Sequence, residues 1–216
     1  MATYKEIRGT QIEAVATDPS NPVEGQVWYN TTSNVLKGQG ATTSGSWSTQ
    51  NSMNTARQAL GGSGSSTAAL AFAGVGGGPT NDPQDVTELW NGTNWTEVND
   101  LNTARGYVGG SGTSTSTLAF GGNSPNKTET ELWNGTNWTE VNDLNIGASQ
   151  PGSAGVDSTS ALAFGGSPYP SRADKCESWN GTNWTEVNDL TTARSALGSA
   201  GIATAALGFG GSVPGS

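Results

Sequence analysis

The chain contains no histidine. That absence removes the commonest general base and the commonest metal ligand together, and with them Ser-His-Asp and Cys-His catalysis. Its one cysteine, Cys176, excludes an internal disulfide, and one thiol without imidazoles cannot assemble a zinc site. The expectation for Cys176 is a buried or half-exposed free thiol. Charge is scarce as well. Nine Lys and Arg against 18 Asp and Glu leave a net charge of −9, and the basic residues are scattered. Nucleic-acid recognition needs a basic footprint, so that partner class is set aside. No apolar run approaches the ~20 residues of a membrane span. The opening Met1–Arg8 is polar and lacks the apolar segment of a secretory signal. These features predict a soluble protein made in the cytoplasm. The glycine-rich stretches carry no Lys-Ser/Thr at phosphate-loop spacing.

What the chain has is repetition. The phrase Glu88–Arg105 recurs from Glu131 and from Glu177, and a worn copy opens at Trp47. Its second Trp falls at 95, 138 and 184, and a Phe before glycines falls at 72, 120, 164 and 209. A period in the forties points to propeller blades or helical arrays. Glycine, at 32 of 216 residues, and the β-branched residues disfavour long helices. Eight Trp in register argue against disorder, because disordered chains lack the apolar surface that offsets chain entropy.

Each repeat carries two hairpin signals. Asn91-Gly92 lies between an aromatic and an apolar run, a strong hairpin pattern. Symmetric pairing across it sets Trp90 against Trp95, and equivalently Trp133 against Trp138 and Trp179 against Trp184. A second hairpin runs from Arg105, turns near Thr113–Thr115 and returns through Thr117–Gly122. One repeat is thus four short antiparallel strands, the unit of a propeller blade. Several Asn-X-Thr sequons occur in the chain, and most fall in the hairpin turns, where backbone geometry already demands Asn.

At this point the residues resemble the kelch repeat. Its double glycine matches Gly121-Gly122, Gly165-Gly166 and Gly210-Gly211, its aromatic and following Trp match the three indole pairs, and its Arg matches Arg57, Arg105 and Arg194. The third copy departs, with Ile146–Ser149 in place of Asn-Thr-Ala-Arg, and the first has Ala73-Gly74. The resemblance covers residues 45–211 and implies an all-β, kelch-like β-propeller. Copper oxidase chemistry of some kelch-bearing enzymes would need histidine ligands and is excluded.

Counting half-blades refines this. First-and-second-strand units start near Arg57, Arg105, Ala148 and Arg194, whereas complete third-and-fourth-strand units occur three times. Residues 27–49 offer the missing strands, through Val27–Asn30, Asn34–Gly38 and Gly45–Thr49. The expectation is four blades of four antiparallel strands closed by this N-terminal hairpin, which would remove exposed edges. The alternative is an open arc completed by oligomerisation. The domain division follows: an arm or attachment segment over 1–26 and the propeller over 27–216. Asp18-Pro-Ser-Asn-Pro reads as a rigid polar turn after a short strand.

Symmetric pairing also sets Glu88 opposite Glu97, Glu131 opposite Glu140 and Glu177 opposite Glu186. Opposed carboxylates need a neutraliser. Ca²⁺ is one option; an Arg from the adjacent blade, or screening at the rim, is the other and is favoured. The pairs recur in every blade rather than forming one cleft, as glycoside hydrolysis would require. No catalytic residue, cofactor or metal is assigned, and the protein is read as non-enzymatic.

The indole turn is kept in three copies while the links from second to third strand differ in each. Variable loops on a rigid frame are where recognition usually lives. The candidate recognition residues are Asn81, Asp82, Asp85, Asn126, Lys127, Tyr169 and Arg172. The six paired Trp are read as blade packing, against a second reading as sugar-stacking platforms. Finally, Glu24–Gly38 looks like the openings of tail-fibre-like and other virion proteins of bacteriophages. That resemblance implies a structural or binding component of a virion, on capsid or tail, with other virion proteins, copies of itself or a host surface glycan as partners. The alternative is a cellular kelch-type protein-interaction module.

Overall fold

A computed structural model describes residues 12–21, 26–39, 48–123, 126–167 and 174–213. Tyr169, Arg172 and Trp47 lie outside the described residues. The chain divides into two compact units, Met1–Thr49 and Gln50–Ser216. The strands of residues 27–38 pair within the first unit.

In that unit β1 (Glu13–Val15) runs parallel to β2 (Val27–Asn30), which forms a hairpin with β3 (Val35–Gly38). The turn rests on local chemistry. Asn30 Oδ1 accepts from the amides of Thr32 and Ser33, and Asn34 takes the left-handed conformation that Asn tolerates. Asp18 gathers three donors: Trp28 Nε1 at 2.9 Å, Asn30 Nδ2 at 2.7 Å and Lys37 Nζ at 2.6 Å.

The second unit is all-β, with no helix among the described residues. Its first sheet orders β5 (Gly61–Ser65), β6 (Ala68–Phe72), β8 (Thr87–Trp90) and β9 (Trp95–Glu97), flanked by the short pair β4 (Arg57–Gln58) and β7 (Val75–Gly76). The second orders β10 (Gly109–Thr113), β11 (Ser116–Phe120), β12 (Thr130–Trp133) and β13 (Trp138–Val141). The third orders β14 (Gly152–Asp157), β15 (Ser160–Phe164), β16 (Cys176–Trp179) and β17 (Trp184–Val187). The fourth holds only β18 (Gly198–Ile202) and β19 (Ala205–Phe209). The inner strands β5, β10, β14 and β18 pack in succession, each against the next. This is an arrangement compatible with a β-propeller-like fold, and among the described residues the sheets are not closed into a ring.

The expected registers are present: Trp90 opposite Trp95, Trp133 opposite Trp138, Trp179 opposite Trp184. The inner strand of the second sheet starts at Gly109 rather than Arg105, because Tyr107 is left-handed and breaks the extended run. Glycine at the head of each inner strand lets a Phe ring lie on the backbone. A β-carbon at Gly109 would sit 2.3 Å from Phe120, and one at Gly198 would sit 2.4 Å from Phe209.

Packing between sheets uses one device twice. Trp138 of the second sheet meets Phe72 of the first edge-on at 5.1 Å, and Trp184 of the third meets Phe120 of the second at 5.0 Å. Each indole N–H also crosses the boundary, Trp138 to Thr87 Oγ1 and Trp184 to Thr130 Oγ1, both at 3.0 Å. At the last sheet the apolar surface stays open: Phe209 is 52% exposed and Leu207 64%, while Phe72 and Phe120 are fully buried and Phe164, beside Leu197, is 3% exposed.

Candidate functional site at the inner ends of the sheets

The repeated ionisable groups serve the frame. Glu88, Glu131 and Glu177 are buried, and each receives backbone amides from the segment that approaches its sheet. Asn54 N–H donates to Glu88 at 2.7 Å, Asn102 N–H to Glu131 at 2.8 Å, and Asn145 N–H to Glu177 at 2.8 Å. Arg57 lies 3.4 Å from Glu88, and Arg105 lies 3.2 Å from Glu131. The neutralising Arg therefore comes from the approach segment of the same sheet, not from an adjacent one. Burial pushes the Arg105 guanidinium below its ordinary value, with Glu131 opposing that effect. The facing residues Glu97, Glu140 and Glu186 are exposed, so each opposed pair splits into one buried and one solvated carboxylate.

At the third sheet Ala148 stands where Arg would be, and Glu177 takes Asn145 Nδ2 at 2.7 Å and the Ile146 amide at 3.0 Å in addition. Among the described residues Arg194 has no ion pair with a Glu, and it donates to Gly210 O at 2.7 Å. Among the described residues no group of three or more side chains could hold a metal ion. Cys176 is a buried free thiol whose pKa is pushed up by burial, which keeps it protonated and poorly nucleophilic.

Of the six paired indoles, all but the half-buried Trp95 are buried, with ring centroids 5.4–5.5 Å apart within pairs. The inner member of each pair caps the neighbouring turn, as Trp133 does by donating to Ser114 O at 3.1 Å. Gly121 and Gly122, with φ of +68° and +124°, turn the chain so that the Gly122 amide reaches Ala148 O. Gly166 reaches Arg194 O in the same way. Gly165, Gly210 and Gly211 share the left-handed conformation.

The candidate recognition loops are also tied into the frame. Asp82 O accepts from the Gly76 amide, Asp85 O from the Leu101 amide, and the Lys127 amide donates to Gly122 O. Asn126 O packs so near Gly147 that a β-carbon there would meet it at 2.7 Å. Lys127 pairs with Glu129 at 2.8 Å. Asn81 Oδ1 accepts from Gln58 Nε2 at 3.0 Å, which links this loop to the inner ends of the sheets.

Those inner ends hold a feature absent from the sequence reading. Ala59, Tyr107, Gln150 and Ala196 are all left-handed, with φ between 52° and 59°. They occupy equivalent places, two residues past the repeat's Arg position, each just before the inner strand of one of four sheets. Tyr107 N donates to Ala59 O at 2.7 Å, Gln150 N to Tyr107 O at 2.8 Å, and Ala196 N to Gln150 O at 3.3 Å. The four border one open cavity of about 430 Å³, with Gln58, Leu60, Val108, Pro151 and Leu197. The available signal was that this position varies (Ala, Tyr, Gln, Ala) beside a steady frame.

Comparison with protein-family models and with curated proteins finds no match for the chain. No helix of the described residues is long and apolar enough to cross a membrane.

Proposed function

We propose that the protein is a non-enzymatic structural or binding component of a bacteriophage virion, in which kelch-like sheets form a rigid module displayed on capsid or tail. The observation that carries this reading is the use of the buried ionisable groups. The buried Glu residues and their Arg partners are consumed in fastening each sheet to the segment that leads into it, as in a frame. The phage-like opening of residues 24–38 supplies the setting. Other virion proteins, copies of itself or a host surface glycan are the partners. Mass spectrometry of purified particles tests this; a chain found only free in the host cytosol would overturn it.

In the same proposal the kelch-like module is a four-bladed ring whose last blade is completed by residues 27–49. Support comes from Asn51, whose side chain caps the Thr93–Asn94 turn as Asn99 caps Thr136–Asn137 and Asn142 caps Thr182–Asn183. Asn99 and Asn142 each follow an outermost strand, so the chain enters the first sheet as if leaving one. Deleting residues 27–49 should expose an edge and cause aggregation or unfolding. A chain starting near Asn51 that stays monomeric with an unchanged melting temperature would disprove the closure. Assembly of the truncated chain into defined oligomers would favour an arc completed by neighbouring copies.

A further inference from the structure

Four left-handed residues around one cavity require a physical reason. A β-carbon in that conformation costs roughly 1–2 kcal/mol, and glycine, abundant elsewhere in this chain, would remove the cost. Such strain persists where the surrounding structure over-determines it, and it clusters at ligand clamps. Here the chain of amide–carbonyl bonds from Ala196 to Ala59 fixes the backbone. The side chains are unequal. Tyr107 and Gln150 are adjacent in that chain and large, while Ala59 and Ala196 at its two ends are small. The cavity's volume of about 430 Å³ falls within the range of roughly 300–1,000 Å³ for small-molecule sites.

The lining selects the ligand. Leu60, Val108 and Leu197 are apolar, Gln58, Tyr107 and Gln150 are polar and neutral, and no charged side chain is present. The site is open, with Gln58 and Ala196 exposed, and none of its lining side chains supplies a counter-charge for an ionic ligand. A side-chain amide offers a donor and an acceptor in one plane, matching vicinal hydroxyls, and a Tyr ring suits the C–H face of a pyranose. Gln58 is held by Asn81, so its orientation is set in advance.

We propose that this cavity binds an uncharged saccharide unit, with Tyr107 against the sugar face and Gln150 and Gln58 paired with its hydroxyls. The proposal deepens the host-surface part of the function above and rests on that reading for its biological role, though not for its chemistry. The test is amide NMR of the full chain titrated with glucose, galactose and N-acetylglucosamine, with N-acetylneuraminic acid as charged comparator. Saturable shifts at Ala59, Tyr107, Gln150 and Ala196 with a neutral sugar are the expected result. Tyr107→Ala and Gln150→Ala should each weaken binding about tenfold, the effect of one lost contact of about 1.4 kcal/mol. Both variants place at 107 and 150 the residue that 59 and 196 already carry in the same conformation, so folding is preserved. No saturable shift with any neutral sugar, binding of the charged sugar alone, or binding indifferent to both variants would each overturn the proposal. The virion reading stands or falls separately, on copurification with particles.

Discussion

The two units of this chain each organise a sheet around a carboxylate, and they do so in opposite surroundings. Asp18 is a solvated acceptor that gathers an indole N–H, an amide N–H and an ammonium. Glu88, Glu131 and Glu177 are buried and gather backbone amides, with Arg at two of the three. In the first case water competes for every bond, so the carboxylate tunes a small sheet. In the second, removing the acceptor strands buried donors, so the carboxylate becomes a condition of folding. The same chemistry therefore carries different weight according to the dielectric around it.

The largest expected effect is on the repeat side. Glu131→Ala leaves the buried Arg105 without its counter-charge and the Asn102 backbone N–H without its acceptor, and should cost about 3–5 kcal/mol in chemical denaturation. Arg105→Ala should cost less, because the third sheet already keeps Glu177 with Ala at the equivalent position. Equal losses from the two variants would show that the Arg, not the amide cradle, holds the carboxylate.

Trp138→Ala removes the edge contact to Phe72 and the bond to Thr87, and should destabilise by roughly 3–5 kcal/mol as a core aromatic truncation does. Trp95→Ala is the control. Trp95 is half-buried and pairs only with Trp90 among the aromatic contacts, so its loss should be clearly smaller. Comparable melting temperatures for the two variants would contradict the packing role of the indoles.

The smallest effect belongs to Asp18. Its hydrogen bonds, from Lys37 first and then Trp28 and Asn30, hold its carboxyl down at about 2 against an ordinary 3.8. A depressed acid contributes stability that is full above the unfolded value and lost as pH falls through the folded one. The Trp28 indole proton should therefore lose exchange protection as pH falls from about 4 towards 2, ahead of the repeat sheets. Asp18→Asn should weaken the N-terminal sheet, read as earlier loss of exchange protection at the Trp28 indole proton. Unchanged protection at Trp28 would break the comparison.

Much of this was legible from residues alone. The Asn-Gly turns impose a two-strand register, so the pairing of Trp90 with Trp95 and of Glu88 with Glu97 followed from spacing. The repeat length and the second hairpin gave four strands per sheet, as three of the sheets show. These are local matters, because turn chemistry and side-chain alternation act within about ten residues of chain.

What the tertiary structure alone decided is which groups far apart in the chain meet. No pattern in the sequence says that Glu131 faces the Asn102 amide 29 residues away, or that Trp184 reaches Thr130 54 residues away. The N-terminal strands were legible as strands, but their partner was not: β2 lies between β1 and β3, a parallel pairing that alternation cannot specify. Nor could spacing reveal that Ala59, Tyr107, Gln150 and Ala196 turn left-handed around one cavity. Side chains of any type can be forced into that conformation once neighbouring sheets fix the backbone, and the force comes from contacts that the linear chain does not contain.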